Sequence, residues 1–328
     1  MKPEELYHWC HQFCLSDILK ESRIHKLSVF GDNFWIKRED ESGFLGGTKS
    51  RKYASLLAYA RKHNIETLAI VGGANSNHVP ALMALAKQQG FKTELWLRKP
   101  RNPQPKGTAW ISALLNGDQP IHWIEGADWP EVDRLASSDD QTRLLVPEGA
   151  ACTASWPGAL TLGYDLWRNE QSLGQAFQHV WIDSGTGTAA AALAVGLGLL
   201  GRFPTIHIML AAGTEPEFHD TLQHCLGFIQ ENMAGVDTAS IQSGIQVQFH
   251  IPPTARAFGS VNASVEAFCK RFVSETGVLI DPIYTAKLMM AIEVWGQKRN
   301  EKEPTVVIHG GGLAALTGFS DSWTVGWL

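Results

Sequence analysis

The stretch FLGGTKSRKY, Phe44 to Tyr53, sets a lysine at the point where a glycine turn opens a helix. Gly46 and Gly47 permit a tight turn, Thr48 can cap, and Tyr53, Leu56, Leu57 and Ala60 supply an apolar helical stripe. Lys49 then falls in the first helical turn. There the positive end of the helix dipole and the neighbouring Arg51 and Lys52 disfavour an ammonium ion. That is a poor arrangement for stability and a useful one for a nucleophile, because an amine must lose its proton to form an imine with an aldehyde. A solvated basic turn is the alternative reading of the same residues.

Two more loops concentrate polar groups. After TLAIV comes Gly72-Gly73-Ala74-Asn75-Ser76-Asn77-His78 and then a helix, a pattern in which free backbone N–H groups can hold an anion and Ser76 and Asn77 can cap. Ser76 could also move protons. After HVWI comes Asp183-Ser184-Gly185-Thr186-Gly187-Thr188 and the alanine-rich AAAALAVGLGLL, where glycines, two threonine hydroxyls and a helix start could hold a phosphate. The loop lacks the lysine and spacing of a P-loop and is an incomplete dinucleotide fingerprint. A phosphate loop without a nucleotide signature, joined to a candidate imine lysine, describes a site for a phosphorylated aldehyde, pyridoxal 5'-phosphate.

The elements that must position these loops are legible as an alternation. FWIKRED, TLAIVGG, TELWLRK, IHWIEG, RLLVPEG, HVWIDSG, IHIMLAAG, IQVQFHIPP, VLIDP and TVVIHGGG each read as a short strand. Lys49 to His63, Val79 to Gln89, Thr188 to Leu200, Ser264 to Thr276 and Tyr284 to Lys298 have apolar residues at helical spacing. Strands that are apolar throughout are buried on both faces, so an α/β fold with mostly parallel twisted sheets flanked by helices is expected, with ligands at the strand C-terminal ends. Two domains are expected: a larger one from residues 1–50 and 160–328, and a smaller α/β domain inserted over 51–159.

Composition narrows the function classes. With 328 residues, 44% of them hydrophobic, the chain can bury a large core. Its net charge of -5, with no basic block, argues against nucleic acid or anionic membrane as partners. The first twenty residues carry acids and histidines where a signal peptide needs an apolar run, and five scattered cysteines suit a reducing compartment, so a cytoplasmic location is expected. Cys10 and Cys14 share a helix face with His8 and His11 nearby, a spacing able to bind metal. No second ligand pair recurs near them, so a helix bridging surface and core is the preferred reading.

IKREDESGFLGGTKSRK, VGGANSNH, VPEGAACTASWPGALTLGY and LIDPIYTAK resemble, in order and spacing, segments of the 1-aminocyclopropane-1-carboxylate deaminase and D-cysteine desulfhydrase family, the tryptophan-synthase-β-like (fold type II) pyridoxal phosphate enzymes. The resemblance runs from about Lys37 to Gly318. It implies that Lys49, which helical periodicity does not separate from Lys52, bonds the cofactor, and that Ser76 assists proton movement at the substrate carbon. It further implies that Asn77 contacts the ring hydroxyl with His78 close by, that Gly185, Thr186, Gly187 and Thr188 hold the phosphate, and that Tyr284 sits beside the substrate.

The departures from the family point to substrate. Thr285 stands where the deaminases carry a glutamate facing the ring nitrogen, and Phe258 stands where a second active-site tyrosine is expected, in a position to touch substrate. Gly310 replaces a threonine or leucine near the ring, and Pro80 an arginine. The reading is a lyase acting on a small amino acid, with desulfhydrase-like β-elimination from D-cysteine to pyruvate, ammonia and sulfide ahead of cyclopropane deamination. A non-catalytic pyridoxal phosphate or nucleotide binder is the reading from another class, and a homodimer is expected by analogy with relatives.

Overall fold

Strands apolar on both faces need cover on both, and the fold supplies it. The computed structural model describes residues 1–100, 106–296, 303–319 and 323. In chain order the elements are α1 (Pro3–His11), β1 (Ile24–Lys26), β2 (Phe34–Arg38), α2 (Thr48–Lys62), β3 (Thr67–Gly73), α3 (His78–Gln88), β4 (Lys92–Arg98), α4 (Thr108–Asn116), β5 (Ile121–Ile124), α5 (Val132–Ala136), β6 (Arg143–Val146), α6 (Trp156–Leu173), β7 (His179–Ser184), α7 (Thr188–Leu199), β8 (Thr205–Leu210), α8 (Glu215–Asn232), α9 (Thr238–Gly244), β9 (Gln246–His250), α10 (Ala263–Thr276), α11 (Thr285–Gly296) and β10 (Thr305–His309). A six-stranded sheet has the order β1-β2-β10-β7-β8-β9 and a four-stranded sheet the order β5-β4-β3-β6. All pairings are parallel except β1 with β2. The protein is therefore α/β, with parallel sheets flanked by helices.

Alternation along the central strands divides the larger sheet's two cores. Trp35, Val180, Ile182, Ile206, Ile208, Val306 and Ile308 face the helices α1, α6, α7 and α8. Phe34, Ile36, Trp181, Met209 and Val307, the residues between them, face α10 and α11. A third core joins α2 and α3 to the smaller sheet through Leu56, Leu57, Leu68, Ile70, Val79 and Leu82. Among the described residues no helix is long and apolar enough to cross a membrane.

The last of the described strands, β10, inserts between β2 and β7, so three chain segments far apart in sequence end side by side at the sheet's C-terminal edge. Such a reversal of strand order opens a crevice. The start of α2 is fixed there by a cluster of buried charges. Arg51 Nε and Nη2 donate to the two carboxylate oxygens of Glu39 at 2.7 and 2.8 Å, and Nη2 also donates to Asp165 Oδ2 at 2.5 Å. Lys37 Nζ donates to the same Asp165 oxygen at 2.7 Å. Burial alone would raise the carboxyl pKa values of Glu39 and Asp165, but the Arg51 and Lys37 cations hold both below the usual carboxylate range. Gly158 of α6 packs so closely on this turn that a Cβ there would overlap the Arg51 carbonyl.

Four expectations need correction. VLIDP forms no strand: Asp281 instead accepts from the N–H groups of Ile283, Tyr284 and Thr285 at 2.9, 2.8 and 3.0 Å and so starts α11. Cys10 and Cys14 do not share a helix, because α1 ends at His11. Cys10 is buried beneath α6 and α7, while Cys14 packs against the smaller sheet's core. Thr48 caps nothing with its side chain, since the α2 N-cap is Gly47, whose N–H is taken by Ser42 Oγ at 2.6 Å. Arg51, lastly, is not a free cation beside Lys49, because Glu39 and Asp165 neutralise it. The helical reading of Tyr284 to Lys298 holds from Thr285 to Gly296, and its last two residues lie outside the described ones.

Removing one carboxylate from the buried cluster leaves an unpaired cation in the core. Asp165→Ala is expected to cost about 3–5 kcal/mol of unfolding free energy, measured by urea denaturation, and a loss below ~1 kcal/mol would contradict the account. The native pKa values of Glu39 and Asp165 lie below their unfolded ones. The stability they carry is therefore retained above the ordinary carboxylate pKa of about 4 and lost as pH falls below it.

Candidate active site

The crevice is a cavity of about 970 Å³ lined by Thr48, Lys49 and Lys52 of α2, Gly73 to His78 after β3, Asp183 to Thr188 after β7, and Phe258 and Tyr284. Every site residue expected from the sequence lines it except Thr285, which is fully buried behind Tyr284. The structure thus brings together three loops that lie apart in sequence, the third of them more than a hundred residues beyond the second.

Lys49 reaches the cavity because α2 is stitched to the end of β10. Gly47 has φ 137° and bridges Gly311 in antiparallel fashion, and the Thr48 N–H donates to the Gly310 carbonyl at 3.1 Å. A Cβ at Gly47 would overlap that carbonyl, so glycine is required on steric as well as conformational grounds. The Lys49 ammonium nitrogen lies 5.6 Å from the centre of the Tyr284 ring. Lys52, one turn on, donates to the Gly149 carbonyl, and burial first, then the charge of Lys49, lowers its pKa to about 7.

In the second loop Ser76 Oγ accepts from the His78 N–H at 3.1 Å, while Asn77 caps α3 by backbone position only. Asn77 Oδ1 is buried without a partner, which corrects the expectation of a side-chain cap. His78 Nδ1 lies 2.8 Å from the Tyr53 hydroxyl and its Nε2 is unpartnered. Burial, with Lys52 and Lys49 nearby, pushes its pKa well below that of free histidine, so His78 is neutral.

The third loop is open where the first two are tight. Gly187 takes φ 78°, Thr186 Oγ1 lies 3.1 Å from Thr188 Oγ1, and the start of α7 has no side-chain cap, leaving its N–H groups directed at the cavity. The Glu148–Ala150 turn closes against it, and a Cβ at Gly149 would lie 2.8 Å from Thr186 Cγ2.

Tyr284 keeps its phenolic proton, because burial and the charges of Asp183 and Asp281 raise its pKa. Phe258 stands at the rim, 60% exposed, with its ring 5.9 Å from that of Tyr284 in an edge arrangement. Thr285 Oγ1 is buried and unpartnered.

Sequence reasoning assigned no role to Asp183 or Glu148 and took Lys52 only as a cation beside Lys49, yet all three line the cavity. Burial raises the Asp183 pKa to about 6 despite the Lys49 cation, and raises that of Glu148 despite Arg98. Asp183 was visible as the polar end of a strand otherwise apolar, HVWID. Lys52 repeats on the face of Lys49 at i+3.

Comparison with known proteins bears on the chemistry. A family model described as pyridoxal-phosphate dependent enzyme matches residues 19–311. The D-cysteine desulfhydrase of Serratia proteamaculans is 26% identical over 312 residues, covering 90% of this chain and 91% of that protein. The bifunctional D-cysteine desulfhydrase/1-aminocyclopropane-1-carboxylate deaminase of Arabidopsis thaliana is 24% identical over 308 residues, 87% of this chain and 74% of that protein. The solved structure of an ACC deaminase homologue superposes with a TM-score of 0.77 over 99% of both chains at 20% identity, which is a likeness of fold. With a match that spans most of its length and a lysine-bearing cavity of the right composition, the chain belongs to the pyridoxal-phosphate dependent enzyme family.

Proposed function

We propose that Lys49 bonds pyridoxal phosphate in this cavity and that the protein catalyses β-elimination from a small amino acid, D-cysteine first, releasing pyruvate, ammonia and sulfide. The observation that carries this reading is the convergence of Lys49, Ser76 and the Gly185–Thr188 turn on one cavity. The unpaired groups suit the cofactor. Asn77 Oδ1 can accept from the ring hydroxyl, the N–H groups and hydroxyls of residues 185–188 can hold the phosphate, and Lys49 can meet the aldehyde. When bound, the cofactor draws electron density from the substrate's Cα.

The chain's own residues move the protons. Lys49 and Ser76 are the groups that can take the Cα proton, and Ser76, whose oxygen accepts from the His78 N–H, keeps its own hydroxyl proton available to the cavity. Tyr284, held protonated, can donate to the departing thiolate. Lys52 supplies positive charge for the substrate carboxylate below about pH 7. Phe258 at the rim brings no hydroxyl to assist ring opening, which favours elimination over cyclopropane deamination. The same reading takes residues 51–159 as an inserted domain, supported by a four-stranded sheet built wholly within residues 67–146. It also takes the protein as a cytoplasmic homodimer. In support, the five cysteines are unbridged, and Trp110 and Leu114, a turn apart on α4, are 50% and 62% exposed as a second copy would cover them.

The purified protein is expected to show a visible band of lysine-bound cofactor that is absent in Lys49→Ala, and to release sulfide from D-cysteine. A colourless protein that cannot be reconstituted would overturn the reading, and ammonia from 1-aminocyclopropane-1-carboxylate without sulfide from D-cysteine would give the deaminase in its place. Ser76→Ala is expected to lower kcat by about 10²–10⁴ with the visible band retained, measured by steady-state kinetics. Because the Lys52 cation is lost as pH rises through about 7, substrate KM is expected to rise over the same interval, and Lys52→Met to flatten that rise.

A further inference from the structure

The strand at the centre of the larger sheet, β10, ends in Gly310-Gly311-Gly312, three consecutive residues without side chains. The space that side chains at its two ends would fill is taken by groups from elsewhere. A Cβ at Gly312 would lie 2.8 Å from Asn77 Nδ2, and a Cβ at Gly310 would lie 3.0 Å from Asp183 Oδ1. Both Asn77 and Asp183 line the cavity, and each has a buried oxygen, Oδ1 in both cases, with no partner. A bare platform flanked by an amide and a carboxyl suits a flat polar ring.

Building on the function proposed above, the ring's polar positions can be matched to side chains one at a time. The aldehyde carbon belongs to Lys49, the phosphate arm to residues 185–188 and the hydroxyl to Asn77. The one polar ring atom left is the pyridine nitrogen, opposite the aldehyde carbon. Among the described residues the unpartnered buried side-chain oxygens left are Asp183 Oδ1, Thr285 Oγ1 and Asp165 Oδ1, and the last belongs to the Lys37 and Arg51 charge cluster rather than to the cavity lining. Asp281 is not available, since its two oxygens already accept from three N–H groups at the start of α11.

We propose that Asp183, reaching into the space left by Gly310, is the carboxylate that faces the cofactor's ring nitrogen and keeps it protonated, with Thr285 a neutral neighbour. The groups that face Asp183 agree with this. Lys49 of α2 is its cation, Asp281 before α11 is a second negative charge, and Tyr284 holds its proton. With Lys49 committed to the aldehyde carbon, on the side of the ring opposite the nitrogen, a protonated ring nitrogen would be the cation that offsets the burial of the Asp183 charge. The proton shared between nitrogen and carboxyl makes the ring a stronger acceptor for the electrons released at the substrate's Cα.

The test is the ¹⁵N resonance of ring-labelled pyridoxal phosphate bound to the wild type, to Asp183→Asn and to Thr285→Val. The expected result is a pyridinium resonance in the wild type and Thr285→Val and a neutral-pyridine resonance in Asp183→Asn. Cofactor retention by Asp183→Asn, followed by visible absorbance on dilution, should be roughly ten- to a hundredfold weaker, as for loss of one charge-assisted hydrogen bond. A neutral nitrogen in the wild type, or one that stays protonated in Asp183→Asn, overturns the assignment while leaving the cofactor in place. A wild type that takes up no cofactor overturns the underlying function as well. The wild-type spectrum alone decides the matter should Asp183→Asn fail to fold.

Discussion

Four charges buried together, Lys37, Glu39, Arg51 and Asp165, decide where Lys49 can be. Lys37 sits on β2, Glu39 just beyond it, Arg51 in the first turns of α2 and Asp165 on α6. Two cations and two anions cancel, and their geometry is specific because Arg51 presents its fork to Glu39 and still reaches Asp165. An apolar cluster of the same volume could be as stable, but it would set no rotational register for the helix. Since Arg51 is two residues from Lys49, locking the one to the sheet turns the other to the cavity.

The opposite device works at the strand ends, where the absence of side chains matters. Gly310, Gly311 and Gly312 let the α2 turn close on β10 and let Asn77 and Asp183 lean over the strand from two different loops. A side chain at Gly47 or Gly311 would push α2 away, and one at Gly312 would displace Asn77. The site is therefore rigid beneath, where backbone meets backbone, and polar above, where unpartnered oxygens remain. Such atoms are costly to bury in an empty protein, and the cost is recovered only when a ligand meets them.

Much of this was legible from residues alone, and the failures have physical causes. Nine of the described strands were marked by short apolar runs, often ending in glycine, proline or an acid, while β1, only three residues long, carries no such signal. VLIDP had the composition of a strand but ends in an aspartate that caps a helix, so local hydrogen bonding overrode β propensity. The three loops were recognisable by their glycines and small polar residues. What no pattern could supply was the order in which distant strands meet. The insertion of β10 between β2 and β7 brings Gly310 to Asp183, and a contact across more than a hundred residues leaves no spacing to read. Judged one position at a time, Thr285 implies a ring nitrogen without a carboxylate. In space, a carboxylate from β7, that of Asp183, lines the same cavity.

The two lysines on one helix face are set apart by what their nitrogens meet. Lys52 has its pKa lowered to about 7 by burial and by the charge of Lys49. Its nitrogen donates to the Gly149 carbonyl, at the side of the cavity where the Glu148–Ala150 turn closes against Thr186. Lys49 points over the Tyr284 ring, whose face attracts a cation without forming a directional bond, so its nitrogen is held in place yet free to react. The i, i+3 spacing that makes the two lysines indistinguishable in sequence is what brings their charges close enough for Lys49 to lower the pKa of Lys52.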